Sequence, residues 1–152
     1  MLHGFAATTD GYSMRFSLDK YSEPSTRSGR RFARTAAGQS VVDVIAIHGS
    51  ETILTVTERC RAIVCRADEV NYLGGPGKGV RLIKVAKGDR LLGFKASRGD
   101  RDLLTVETNR GAQKNISTVK YRTTSRGGVG TEIQKNGRIT SIVQDPVTSP
   151  TL

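Results

Sequence analysis

A chain of 152 residues is long enough to bury one core, yet only 36% of it is apolar, 5% is aromatic and it has no tryptophan. That excludes a bundle of long helices and fits many short strands with thin cores, whose turns draw on 17 glycines against 4 prolines. The net charge of +10 points to a polyanion, and nucleic acid stands ahead of membrane because no amphipathic helix and no apolar run near the ~20 residues of a span accompanies it.

In chain order, residues 4–9 and 12–18 read as two strands about Asp10-Gly11, since a two-residue turn with positive φ suits Asp and Gly. Tyr12, Met14, Phe16 and Leu18 alternate with Ser13, Arg15 and Ser17, the period of a strand with one buried and one wet face. A polar loop over 19–28 leads to Gly29, and residues 30–34 and 40–47 are expected to form a second pair about the turn at Ala36 to Gly38. The next unit repeats this with an offset of 49: strands at 53–57 and 61–67, a glycine loop at 74–79, then 80–85 and 90–95 about Lys87-Gly88-Asp89. In the third, 103–107 and 112–116 flank Asn109-Arg110-Gly111, and 131–134 and 138–143 flank Lys135-Asn136-Gly137.

The chain is therefore one unit written three times, about residues 1–49, 50–97 and 98–144, followed by a flexible polar tail at 145–152. Turn glycines Gly38, Gly88 and Gly137 keep the spacing. Four short strands in 49 residues is the size of a propeller blade, and three blades are too few to close a ring. An open arc is expected, most simply a part of a longer array, otherwise one completed by another copy. Basic excess follows the units as +2, +4 and +4, a distributed surface and not a tail.

Each unit carries a basic glycine loop: Arg27 to Phe32, Gly74 to Leu82 and Ser125 to Thr131. A phosphate-binding P-loop is excluded, because Tyr72 stands at the required glycine and Gly79 at the required hydroxyl. The dinucleotide fingerprint fails as well, with Val80 in place of its last glycine. The bland reading is a sharp crossing between strand pairs with the charges left in water. The functional reading is that loop amides beside Arg27, Arg30, Lys78, Arg81 and Arg126 approach phosphates, in a row set by the repeat. Cys60 and Cys65, five apart and read as sharing a strand, face opposite sides and do not form a disulfide. His3 and His48 belong to no triad pattern, and the carboxylate pairs Asp68-Glu69 and Asp100/Asp102 read as turn-formers. The four tyrosines read as core or loop packing. No catalysis, metal or cofactor is expected of this chain.

Taken together, residues 6–12 (Ala-Ala-Thr-Thr-Asp-Gly-Tyr), 77–94 (from Gly-Lys-Gly-Val-Arg-Leu to Gly-Phe), 104–111 (Leu-Thr-Val-Glu-Thr-Asn-Arg-Gly) and 125–130 (Ser-Arg-Gly-Gly-Val-Gly) resemble the C-terminal domain of the bacterial type IIA topoisomerase A subunit, in gyrase and topoisomerase IV. The resemblance implies an all-β β-pinwheel, an array of propeller-like blades whose basic perimeter binds and bends duplex DNA. It implies cytoplasmic, nucleoid-associated work beside the rest of the A subunit, which holds cleavage, with the ATPase subunit supplying ATP hydrolysis. Gyrases carry a box of the type Gln-Arg-Arg-Gly-Gly-Lys-Gly for full wrapping. Its nearest match is Thr124 to Gly130, which keeps Arg126, Gly127, Gly128 and Gly130 but has Ser125 and Val129 at basic positions. It falls in the last unit and not the first, so the resemblance leans towards a topoisomerase IV-like or divergent array.

The expected DNA contacts are Arg27, Arg30, Arg31, Lys78, Arg81, Lys84, Arg122, Arg126 and Arg138. The alternative is a blade array that binds protein through its faces and has no specific DNA handling.

Overall fold

A computed structural model describes residues 1–19, 33–99 and 102–143. Arg27, Arg30 and Arg31 lie outside the described residues, as do most of the expected strand at 30–34 and the tail at 145–152. Strands β1 (His3–Thr8), β2 (Tyr12–Phe16) and β3 (Val41–Ile47) begin the chain. There follow β4 (Thr52–Thr57), β5 (Arg61–Arg66), β6 (Tyr72–Leu73), β7 (Val80–Arg81) and β8 (Leu91–Ser97). The last are β9 (Leu104–Thr108), β10 (Gln113–Ile116), β11 (Thr131–Glu132) and β12 (Ile139–Ile142). A 3-10 turn spans Ala67–Glu69, and no helix among the described residues is long and apolar enough to cross a membrane.

The strands form three sheets, ordered β3-β1-β2-β6 with β7 also on β2, then β11-β5-β4-β8, then β10-β9-β12. The hairpins β1-β2 and β9-β10 stand where turn chemistry puts them, and β4-β5 stands where the repeat puts it. The expected second pair is corrected in the second and third units; in the first, most of the arm at 30–34 lies outside the described residues. The turns exist, closed by Gln39 N to Ala36 O at 3.0 Å, Asp89 N to Ala86 O at 3.0 Å and Gly137 N to Gln134 O at 3.1 Å. The arms on either side then part company. β8 returns to β4 of its own unit, whereas β7 crosses to β2 of the first unit. β12 likewise returns to β9, and β11 crosses to β5. The first sheet thus takes in β6 and β7 from the next unit and the second takes in β11, and the blades interlock.

Three apolar clusters fill the spaces around these sheets. Phe5, Ala7 and Ile47 of the first sheet pack on Ile53, Ile63, Cys65, Leu91 and Phe94 of the second, with Leu82 and Ile83 of the crossing arm sealed between them. Leu54, Val56, Ala62 and Val64 face Leu104, Val106, Ile116 and Ile139 of the third sheet. Ala6, Met14 and Phe16 bury the far side of the first, beside Leu18, Ala33 and Leu73. Because a blade is covered on both faces, β4 is buried or half-buried at every position, and adjacent residues Ile53 and Leu54 enter different cores.

This packing also overrides the wet face expected of β2. Ser13 is fully buried and donates from Oγ to the Val80 carbonyl at 3.3 Å, while Arg15 Nε donates to the Val70 carbonyl at 2.6 Å. Cys60 is not in a strand: it occupies the β4–β5 turn at φ 64. Both cysteines are free, and each belongs to a different core.

Candidate nucleic-acid interface

The crossing arms position the basic side chains. At the first joint Gly11, at φ 87, follows Asp10 in the hairpin turn, and its carbonyl accepts the Leu82 amide at 2.7 Å. That holds the arm so that Tyr12 pairs with Arg81 and Ser13 with Val80. Gly79, at φ 79, lies so close that any Cβ there would strike the Ser13 carbonyl. Only glycine fits both that backbone and that approach. The tightness delivers Lys78 and Arg81, both exposed, to one aromatic ring. Lys78 Nζ sits 4.2 Å from the Tyr12 centroid, the Arg81 guanidinium carbon sits 5.7 Å from it, and Arg81 also donates to the Tyr12 hydroxyl at 3.5 Å.

The second joint repeats the backbone with other side chains. Thr131 pairs with Ala62 and Glu132 with Arg61, and Gly130, at φ 77, would place a Cβ 2.6 Å from the Ala62 carbonyl. Register therefore matches Val80 with Thr131, Arg81 with Glu132 and Tyr12 with Arg61. Gly77-Lys78-Gly79 consequently occupies the place of Gly128-Val129-Gly130, and the lysine missing at Val129 stands in the unit before. Here Arg61 and Glu132 form an ion pair at 3.6 Å, and Val129 is 56% exposed.

The third unit's loop rests on the second unit's arm. Gly127 N donates to the Leu82 carbonyl at 2.7 Å, and Lys84 N donates to the Gly128 carbonyl at 2.8 Å. Arg126 stitches this contact: its Nε donates to the Glu69 carbonyl at 2.9 Å and one terminal nitrogen donates to the Arg81 carbonyl at 3.1 Å. Its guanidinium is thus tied to backbone, and it acts on the joint as well as carrying charge. Lys78, Arg81, Lys84 and Arg126 accordingly form a basic strip across the first two sheets. Arg122 lies along β5 in a groove of about 350 Å³ with Ser125, Arg126, Gly128 and Gly130.

Arg138 is not part of this strip. It lines a separate cleft of about 740 Å³ with Arg59, Arg61, Asn109, Asp89 and Glu132, and its amide donates to Asn109 Oδ1 at 3.1 Å. Arg59, Arg61 and Tyr12 were not among the residues expected from sequence. Tyr12 could have been found from its place beside Asp10-Gly11, had the partner of β2 been known. Other titratable groups serve local structure. His3 Nδ1 lies 3.0 Å from the Met1 carbonyl, and burial pushes the Cys65 thiol up to about 12. No group of three or more His, Cys, Asp or Glu able to hold a metal occurs among the described residues.

A family model described as DNA gyrase C-terminal domain, beta-propeller, matches residues 5–48, 51–98 and 107–143. The DNA gyrase A protein of Klebsiella oxytoca is 26% identical over 144 residues, covering 92% of this chain and 16% of that protein. The chain therefore spans about a sixth of the curated relatives it matches. Among solved structures, the C-terminal domain of DNA topoisomerase IV aligns with a TM-score of 0.80 at 21% identity, over 93% of this chain and 46% of that one. The DNA gyrase A C-terminal domain aligns with a TM-score of 0.75 at 18% identity, over 93% and 48%. These two likenesses establish the fold: an open array of pinwheel blades.

Proposed function

The chain belongs to the DNA gyrase C-terminal domain family of beta-propellers, and from that premise we propose that it binds and bends duplex DNA through phosphate contacts. It serves an ATP-hydrolysing type IIA topoisomerase in the bacterial cytoplasm, as the DNA-handling part of the A subunit, and presents a DNA segment for strand passage. Its partners are the rest of the A subunit, which cleaves DNA, together with the ATPase subunit, which hydrolyses ATP. The observation that supports this most is the strip of Lys78, Arg81, Lys84 and Arg126, laid across neighbouring blades by the crossing arms. Cations in such a row neutralise successive phosphates and read no base.

Fluorescence anisotropy with a random-sequence duplex of about 40 base pairs tests the reading. If about five basic residues each neutralise a phosphate, log affinity falls with log salt at a slope near about −4.5. Micromolar or tighter binding that is indifferent to sequence is the expected result. Undetectable binding at low salt overturns it and turns the search to protein partners.

A further inference from the structure

The two crossing joints are internal controls for one another, since the same backbone is built twice with different side chains. In the first, the three register-matched positions are Tyr12, Lys78 and Arg81; in the second they are Arg61, Val129 and Glu132. The second set cancels its own charge through the Arg61–Glu132 pair. In the first, two cations share one ring, and no carboxylate pairs with Lys78 or Arg81 among the described ion pairs.

We infer that Tyr12, Lys78 and Arg81 form a pre-set clamp for a phosphodiester of duplex DNA at the first joint, with Tyr12 as the positioning residue, and that the second joint carries no counterpart. The inference rests on the DNA-binding reading above and names where on the array the backbone is gripped. A free lysine or arginine side chain loses rotamer freedom when it fixes a phosphate. The Tyr12 ring removes part of that loss beforehand, because its π system draws both cations into one arrangement before DNA arrives. It occupies one side of each cation and leaves N–H donors for phosphate oxygens.

A double-mutant cycle in the full chain tests this, again by anisotropy on the 40-base-pair duplex at fixed salt. Tyr12→Leu keeps both charges and is expected to weaken binding about three- to tenfold, as the rotamer loss of one long side chain would if it were incurred only on binding. Tyr12→Phe keeps the ring and is expected to stay within about twofold. Lys78→Ala should cost less in the Tyr12→Leu background than in the parent, whereas Lys84→Ala, which lies outside the clamp, should cost the same in both. A second readout needs no DNA: the Lys78 ε-methylene protons should be ring-current shifted upfield in the unsubstituted chain and in Tyr12→Phe, and should return to ordinary values in Tyr12→Leu. Additive losses for Tyr12 and Lys78, or an unshifted Lys78 in the unsubstituted chain, overturn the clamp while DNA binding stands. No binding by the unsubstituted chain overturns the underlying reading as well.

Discussion

A single buried acid shows how this basic chain uses its few carboxylates. Glu51 is 3% exposed just before β4, and its carboxylate accepts the amides of His48 at 2.8 Å and Gly49 at 2.8 Å, with Arg98 at 3.8 Å. Burial alone would raise its pKa, but the amide bonds and Arg98 outweigh that and hold it below the ordinary carboxylate value. A folded-state pKa below the unfolded one means stability that is present above the unfolded value and lost as pH falls through the folded one. Glu51→Gln should therefore lower the melting temperature at pH 7 by about 2–6 °C, the effect of roughly 1–1.5 kcal/mol in a domain of this size. The gap to the parent should narrow below about pH 4, where the parent carboxylate also takes up a proton. A gap that stays constant in melts from about pH 7 down to about pH 3 would show that charge has no part in it. Nothing at Glu51 was legible beforehand, because its value comes from a loop that folds back on it and not from a motif.

Elements were legible up to the point where partners had to be chosen. Asp10-Gly11 and Asn109-Arg110-Gly111 fixed the hairpins because turn residues carry their own geometry. The turns at Gly38 and Gly88 form as well, both glycines having positive φ, but they do not fix what their arms pair with, and in the third unit the positive φ falls to Asn136 and not Gly137. What sequence could not assign was the destination of β7 and β11. A two-residue strand has no periodicity, and its register is decided by how closely a backbone elsewhere can be approached. The glycines of the crossing arms settle it, and they differ measurably from the turn glycines. Gly38 has φ 78 but open space where a Cβ would go, so Gly38→Ala should cost only the left-handed strain of about 1–2 kcal/mol. Gly130→Ala adds a collision with the Ala62 carbonyl, and Gly79→Ala one with the Ser13 carbonyl. Both should melt markedly lower than Gly38→Ala, because the struck atoms are sheet backbone and cannot step aside. Equal melting temperatures for the three variants would mean that the arms are not held against β2 and β5.

The molecule as a whole is a chain of sheets in which each strand exchange ties one blade to the next, so its stability should be unequal along its length in a predictable way. The second sheet receives β11 at one edge, is closed by β8 at the other, and has apolar clusters against both faces. The third has three strands among the described residues, with β10 at its edge and half of β10 exposed. Opening the second sheet must break two cores and the joint of β11 on β5, whereas opening the third exposes one core alone. Native-state hydrogen exchange should therefore find the slowest amides in β4 and β5, with the amides of β9 and β10 exchanging earlier. Duplex DNA adds a linkage term, since a ligand that grips the strip across the first two sheets stabilises the states in which those sheets are closed. Protection at the first joint, over β2 and β7, should accordingly rise with added duplex and rise less at high salt, while β9 and β10 change little. Uniform protection without DNA would mean that the blades unfold as one unit. A DNA-induced gain spread evenly over all three sheets would mean that the backbone is gripped along the whole arc and not chiefly at the first joint.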